Sequence, residues 1–403
     1  MKRFYDFVIK EHLRNYQQMI FLSGPRQVGK TTLAKDIKKE YEDFFYFNWD
    51  ILADREKILL GQTEIGHIAR LDAIKNDHTV IVFDEIHKYK LWKTFIKGFF
   101  DQYKEKCKII VTGSSSLDTY NKGGDSMMGR YFLYHIFPIT VGELVENNNY
   151  PEQITFPPKQ IKQSDFDTLL KHGGFPEPFL HNDSMFSGRW KGLRNKQLFR
   201  EDIQSLSNIQ EVDQLEVLAK ILQAQVGQIV NRSTLSQKIR VSVSTISRWL
   251  NTLQTLYYCF EIKPWSRNVK RSLVKEPKIF LYDWSLVQDV GAKFENFVAL
   301  HLYKFVLFQN DTGRGDYGLY FVRDKDKKEV DFLVVKDGQP WLLVEVKASA
   351  NAPVSKSLYY YAQELMVPHT FQVVFDMEYV DKDCFKYKEP IIVPAQTFLS
   401  QLV

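Results

Sequence analysis

The segment from Gly24 to Thr32, which reads GPRQVGKTT, constrains this chain more than any other feature. It follows the apolar run MIFLS, precedes the helical pattern LAKDIKKEY, and matches the spacing G-x-x-x-x-G-K-[ST] in full. Its glycines let backbone N–H groups converge on phosphate oxygens, and the helix after the loop presents its positive end to them. The order strand, loop and helix predicts a phosphate-binding loop; a glycine-containing turn that matches by chance is the alternative.

This loop is expected to supply most of the contacts to ATP. Lys30 would reach the β- and γ-phosphates as a catalytic residue, and the Thr31 hydroxyl would ligate Mg²⁺. The predicted nucleotide-binding residues of the loop are Gly24, Gln27, Val28, Gly29, Lys30, Thr31 and Thr32.

A second segment, Thr79-Val-Ile-Val-Phe-Asp84-Glu85, is a continuous apolar run that ends in two carboxylates. Such a run is typical of a central strand in a parallel sheet, which is buried on both faces. We expect Asp84 to hold Mg²⁺ through its water shell and Glu85 to polarise the water that attacks the γ-phosphate. A strand that merely ends in two solvated acids is the alternative.

Longer segments resemble a prokaryotic family of AAA-type ATPases that carries a C-terminal domain of unknown function. They are GPRQVGKTTLAK, DEIHKYKLWKTFIKGFFD, TGSSS, the Met128-Gly-Arg130-Tyr run and the downstream FPITVGE. The resemblance implies that Ser114, after the strand pattern of residues 108–112, senses the γ-phosphate, although T-G-S-S-S is also a plain turn. It further implies a homo-oligomer in which Arg130 completes the site of a neighbouring subunit, unless Arg130 is a surface ion-pair partner.

The fold class expected from these patterns is α/β, with a parallel P-loop core, a helical and winged-helix middle and a restriction-endonuclease-like end. Turn-forming residues around 145–165 indicate a border, which gives an ATPase domain over 1–150 and a helical linker or lid over 151–210. Residues 211–275 would form the winged helix. There, Ser242 or Ser244 could cap the second helix of a helix-turn-helix, with Ile246, Leu250 and Leu253 on its buried side.

The positive charge is concentrated in this middle part. Lys and Arg exceed Asp and Glu by 54 − 49 = +5 over the whole chain. Residues 231–280 contain ten basic and two acidic side chains, so this segment alone carries +8. Such a basic helix-turn-helix predicts DNA as a partner. A winged helix that only packs against its neighbours is the alternative.

The C-terminal pattern is Asp331, thirteen residues, then Glu345-x-Lys347. It is similar to the PD-(D/E)xK core of restriction-endonuclease-like enzymes, although Val330 stands at the leading proline, and it places such a domain over 276–403. A three-residue turn would set Val335 against Gln339 and Asp331 against Leu343, leaving Asp331, Glu345 and Lys347 on one face.

Two carboxylates on one face of a hairpin could bind Mg²⁺ or Mn²⁺, with Glu295 as a third acid and Lys347 orienting the attacking water. A surface ion pair is the alternative for E-x-K. A retained core that binds DNA without cutting it is a further alternative.

Two functional hypotheses follow. In the first, an ATP-binding and ATP-hydrolysing enzyme handles DNA and carries metal-dependent nuclease activity. In the second, a nucleotide-switched regulator binds DNA or protein through a nuclease-like domain that is catalytically inactive. Neither an apolar run long enough to span a membrane nor a signal-peptide pattern occurs in the sequence, so we expect a cytoplasmic protein with no membrane partner.

Overall fold

The computed structural model describes residues 2–72, 79–113, 127–145, 154–203, 209, 211–266, 276–351 and 353–403. The chain divides into two compact units, Lys2–Phe137 and Pro138–Val403. Within the described ranges, no helix is both long and apolar enough to cross a membrane.

The first unit is built on a five-stranded sheet in which every strand runs parallel to its neighbours. The strand order is β2-β3-β4-β1-β5. Strands β1 and β3 are buried along their whole length and β4 everywhere except at Lys108, which explains why their sequences are mostly apolar. The strands are β1 (Met19–Ser23), β2 (Phe44–Asn48), β3 (Thr79–Asp84), β4 (Cys107–Gly113) and β5 (Tyr131–His135).

Helices lie between these strands in the chain. The apolar residues of α5 recur every three or four positions, so that Phe95, Ile96 and Phe99 pack in one core cluster with Phe83 of β3. The helices of this unit are α1 (Phe4–Asn15), α2 (Lys30–Asp36), α3 (Leu52–Leu59), α4 (Gln62–Ile68) and α5 (Trp92–Tyr103).

The second unit begins with helices. Ser242 accepts a hydrogen bond from the Thr245 amide at 3.1 Å and so caps the last of them, as the sequence predicted. The helices are α6 (Val141–Leu144), α7 (Gln163–His172), α8 (Pro176–His181), α9 (Ser184–Gln197), α10 (Val212–Ala224), α11 (Arg232–Ile239) and α12 (Val243–Thr255).

A mixed seven-stranded sheet forms the rest of the second unit, in the order β12-β11-β10-β9-β8-β6-β7. Its strands are β6 (Cys259–Pro264), β7 (Lys278–Leu281), β8 (Tyr317–Arg323), β9 (Glu329–Lys336), β10 (Gln339–Lys347), β11 (His369–Val374) and β12 (Ile391–Pro394). Its helices are α13 (Val290–Asp311), α14 (Lys356–Glu364) and α15 (Ala395–Ser400). The expected α/β class, with a parallel sheet first and a second sheet later in the chain, is confirmed.

The predicted register of the β9–β10 hairpin is wrong. Gln339 pairs with Lys336, not Val335, because the turn has two residues, Asp337 and Gly338, with φ of 49° and 78°. Two positive φ values give a turn whose twist matches that of the strands. The register then shifts between Pro340 and Leu342, so Leu343 pairs with Leu333, not with Asp331 as predicted.

The predicted common face survives this correction. The ladder ends with Val344 opposite Phe332, so the next step brings Glu345 level with Asp331. Because side chains alternate along both strands, Asp331, Glu345 and Lys347 share a face of the sheet.

Candidate functional site

The phosphate loop joins β1 to α2, and its backbone is one that only a few residue types tolerate. Gly24 has φ of +151°, and a Cβ built on it would lie 2.2 Å from the Ile136 carbonyl oxygen. Gln27, at φ 63°, is exposed, and Gly29, at φ 101°, precedes α2. The glycines at both ends of the motif are therefore required by geometry as well as by spacing.

The Lys30 side chain lies inside this loop, where only 5% of the residue is exposed. Its ammonium donates to the carbonyl oxygens of Gly24 at 2.8 Å and Pro25 at 2.7 Å. Arg3, which sequence reasoning overlooked, donates to the carbonyl of the buried Val28 at 3.1 Å. The loop thus holds a buried cation beside its own backbone.

The Asp84 carboxylate at the end of β3 joins three hydroxyl groups. Thr31, in the first turn of α2, donates to Oδ2 at 3.0 Å; Tyr46 of β2 donates to the same oxygen, and Thr112 of β4 donates to Oδ1. Burial and the Asp84 carboxylate raise the pKa of Tyr46 above its ordinary value. The Thr31 hydroxyl and the Asp84 carboxylate are oxygen ligands of the kind that an ATP-bound Mg²⁺ requires, and the buried Lys30 is a cation of the kind that phosphates require. These residues therefore fit ATP·Mg²⁺.

Glu85 follows Asp84 in the left-handed conformation, with φ of 56°. Its amide donates to the Thr112 hydroxyl at 3.4 Å, and its carboxylate lies 3.2 Å from Lys88. Burial alone would raise the pKa of Glu85, but its neighbours His87, Lys30 and Lys88 hold it below its ordinary value. Burial lowers the pKa of His87 to about 4, so this imidazole is neutral near pH 7, where the positive charge beside Glu85 comes from Lys30 and Lys88.

The positions of the other residues predicted for this site, Thr32, Ser114 and Arg130, say less about its function. Thr32 is exposed on α2. Ser114 lies outside the described residues. Arg130 forms a two-pronged ion pair with Asp101 of α5, at 2.9 Å and 3.0 Å, which is the geometry of the surface ion-pair alternative. Its assignment to a neighbouring subunit's site stays a prediction.

The second unit places the predicted helix-turn-helix on α11 and α12. Ile246, Leu250 and Leu253 are buried, together with Trp249, whereas Arg248 is exposed on the opposite side of α12. The hairpin β6–β7 follows, but β6 also pairs with β8. Residues 257–265, which follow the helix-turn-helix and which the sequence assigns to the wing, contain β6, so that strand is part of the seven-stranded sheet.

The same sheet and helix α13 together carry an acidic cluster, which we define as Glu295 on α13 and Glu329, Asp331 and Glu345 on the strands. The ammonium of Lys278 on β7 lies 3.2 Å from Glu295, 2.7 Å from Glu329 and 3.9 Å from Asp331. Its side chain is only 4% exposed. Lys278 belongs to the basic segment 231–280, yet it faces this cluster and does not add to the positive surface.

Glu345 and Lys347 face each other in the same region, with the lysine Nζ 2.7 Å from Glu345 Oε1. Asp331 Oδ2 accepts a hydrogen bond from the Val346 amide at 2.8 Å. Glu345 is 7% exposed, and its second oxygen, Oε2, is buried without a hydrogen-bond partner in the structure. The structure thus brings Asp331, Glu345 and Lys347 together, and Glu345 Oε2 has no hydrogen-bond partner among the described residues.

Electrostatics within the cluster follow from burial. Burial is the largest cause that raises the pKa of Glu295 and of Glu345, and the charge of the nearby Asp331 is the second. Burial also raises the pKa of Asp331. Burial alone would lower the pKa of Lys278, but the adjacent carboxylates raise it above its ordinary value. The lysine therefore stays charged near pH 7, whereas the carboxyl groups with raised pKa take up protons more readily than exposed ones.

The cluster does not fit a metal ion as it stands. In the ranges that the structure describes, no group of three or more His, Cys, Asp or Glu residues is arranged to hold one. The Lys278 ammonium lies among the carboxylates that a metal would need. Sequence reasoning missed this lysine because only the pairing of β6 with both β7 and β8 brings it near β9.

Comparison with known proteins places these observations in context. Residues 16–145 match a family described as an AAA domain, and residues 163–295 and 290–386 match two families described as domains of unknown function, DUF8612 and DUF4143. An uncharacterized protein of Mycobacterium tuberculosis is 21% identical over 84% of this chain and 72% of its own length. An uncharacterized protein of Haemophilus influenzae is 23% identical over 78% and 79%.

Among solved structures, AMPPCP-bound DnaA from Aquifex aeolicus matches with a TM-score of 0.31 and 14% identity, over 61% of this chain and 86% of that chain. The helicase domain of Hef from Pyrococcus furiosus matches with a TM-score of 0.22 and 12% identity, over 63% and 68%. These TM-scores are too low to bear on function. From the family matches, the chain carries an AAA-type P-loop ATPase domain followed by two domains of unknown function.

Proposed function

We propose that this protein binds ATP·Mg²⁺ at the phosphate loop and hydrolyses it with Asp84 and Glu85. The arrangement that supports this most directly is the buried Lys30 ammonium within the loop, next to a Thr31 hydroxyl bonded to Asp84. The AAA domain over residues 16–145 points to the same activity.

Each residue has a distinct task in this proposal. When ATP arrives, Lys30 exchanges its carbonyl partners for phosphate oxygens, which are stronger acceptors for an ammonium group. Thr31 and Asp84 hold the hydrated Mg²⁺, which neutralises charge on the phosphates. Glu85, whose low pKa keeps it ionised near pH 7, orients the attacking water.

ATP turnover by the full chain tests this. Glu85→Gln is expected to bind ATP with little change but to lose about 10²- to 10⁴-fold in kcat, since it removes a general base. Lys30→Ala is expected to lose affinity for ATP as well. Lys386→Ala, at an exposed lysine of the second unit, is the matched control. Unchanged turnover in Glu85→Gln would refute its role.

We further propose that the protein handles DNA through the basic face of α11, α12 and β6. Four cations in the described part of residues 231–280 are exposed: Lys238, Arg240, Arg248 and Lys263. Ser244 and Asn251 of α12 are exposed beside Arg248, and such side chains donate to phosphates and base edges.

Binding of a labelled duplex across a range of salt concentrations tests this proposal. Phosphate contacts release counterions, so affinity should fall steeply with salt, and Arg248→Ala should reduce the slope by about 1. The same substitution at Lys386 should leave the slope unchanged. A protein–protein role for the helix-turn-helix predicts no measurable duplex binding at low salt.

For the acidic cluster the second functional hypothesis is favoured, namely a nuclease-like region that is catalytically inactive. Lys278 supports this choice, because its ammonium is engaged with three carboxylates. The competing nuclease hypothesis predicts DNA cleavage with Mg²⁺ or Mn²⁺ that Lys347→Ala abolishes. Cleavage by the wild type, absent from Lys347→Ala, would overturn the inactive assignment.

A further inference from the structure

We infer that Lys278 is an internal cation that competes with divalent metal ions for the acidic cluster. This inference rests on the part of the proposed function that leaves the cluster inactive, and it is independent of ATP hydrolysis. It concerns what would let carboxylates in this arrangement bind a metal.

The first support is the position of the lysine. Its ammonium contacts Glu329 on β9 and Glu295 on α13 within 3.2 Å, and it lies 3.9 Å from Asp331. One group thus joins carboxylates from a helix and a strand, as a bound cation would. The lysine side chain is only 4% exposed, so its charge depends on these carboxylates for compensation.

The second support is a buried hydrogen-bond acceptor without a partner, the Oε2 atom of Glu345. Glu345 is 93% buried, Lys347 engages only its Oε1, and Oε2 has no hydrogen-bond partner in the structure. An unpaired carboxylate oxygen in a buried position is costly unless a cation or donor satisfies it. The cluster therefore retains capacity for positive charge that the side chains present do not fill.

The charge of the lysine gives the third support. Lys278 supplies +1 where carboxylates from α13 and β9 meet, whereas a divalent cation would supply +2. To bind there, a metal ion must displace an ammonium group that is already in contact with these carboxylates.

Mn²⁺ binding to the nucleotide-free full chain tests the inference. Lys278→Met removes the charge and keeps much of the side-chain volume, and it is expected to bind one Mn²⁺ at least tenfold more tightly than the wild type. Lys278→Arg retains a cation and should bind like the wild type. Adding Glu345→Gln to Lys278→Met should abolish the gain.

An affinity in Lys278→Met equal to or below that of the wild type overturns the inference. If Lys278→Met fails to fold because its carboxylates repel one another, refolding with Mn²⁺ should rescue it, and no rescue equally overturns the inference. ATP turnover in the same preparations separates the two claims: a wild type without turnover refutes the proposed ATPase, whatever the Mn²⁺ result.

Discussion

Thr112→Val tests the hydrogen bonds that Thr112 makes with the Asp84 carboxylate at the end of β3 and with the Glu85 backbone amide. Thr112 is fully buried, donates to Asp84 and accepts from the Glu85 amide. Valine has nearly the same shape, so the change removes only the hydroxyl. A hydrogen bond to a charged group contributes about 1.5–3 kcal/mol, and we expect that loss in the free energy of unfolding.

Thr79→Val is the matched control. Thr79 is also buried on the adjacent strand β3, but its hydroxyl has no hydrogen-bond partner in the structure, so its removal should be neutral or stabilising. Thermal unfolding of the full chain provides the assay, using the transition that rises with ATP·Mg²⁺. At roughly 3–6 °C per kcal/mol for a unit of this size, Thr112→Val should lower Tm by about 5–18 °C. It should also reduce kcat more than ATP affinity. If the two valine variants unfold within 1 °C of each other, the hydroxyl network does not hold Asp84.

Three further outcomes are expected. Gly24→Ala should reduce ATP affinity at least tenfold in calorimetry, because its Cβ would meet the Ile136 carbonyl oxygen at 2.2 Å; unchanged affinity would exclude that contact. Gly338→Ala, with no atom within 4 Å of the new Cβ, should cost only about 1 kcal/mol in unfolding, from its φ of +78°; a loss above 3 kcal/mol would contradict this. Lys304→Met should destabilise the chain by about 3–5 kcal/mol in unfolding, because Glu143, 2.8 Å away, is left buried and charged; additivity with Glu143→Gln in a double-mutant cycle would argue against the pair.

Short sequence patterns were sufficient to predict those parts of the candidate site that consist of consecutive residues. The Gly24–Thr32 spacing, with an apolar run before it and a helical run after it, predicted the order β1, loop, α2. The apolar run that ends in Asp84 predicted a central buried strand, since parallel strands lack a polar face.

Contacts between distant segments were not predictable in the same way. Tyr46 and Thr112 reach Asp84 only because β2 and β4 flank β3, an order that no short motif encodes. Lys278 joins the acidic cluster through strand order in the second sheet, and in the sequence it reads as one more basic residue. The predicted hairpin register was wrong because the turn has two residues instead of three and because an irregularity after Pro340 shifts the pairing by one further residue.

The close approach of Gly24 to Ile136 has a mechanical consequence. The Ile136 amide donates to Ser23, the last residue of β1, and the next carbonyl, that of Phe137, accepts from Arg3, which also holds Val28. Residue 138 already belongs to the second unit. Any shift of the phosphate loop toward Ile136 would therefore act on main chain only two peptide bonds before the covalent junction of the two units.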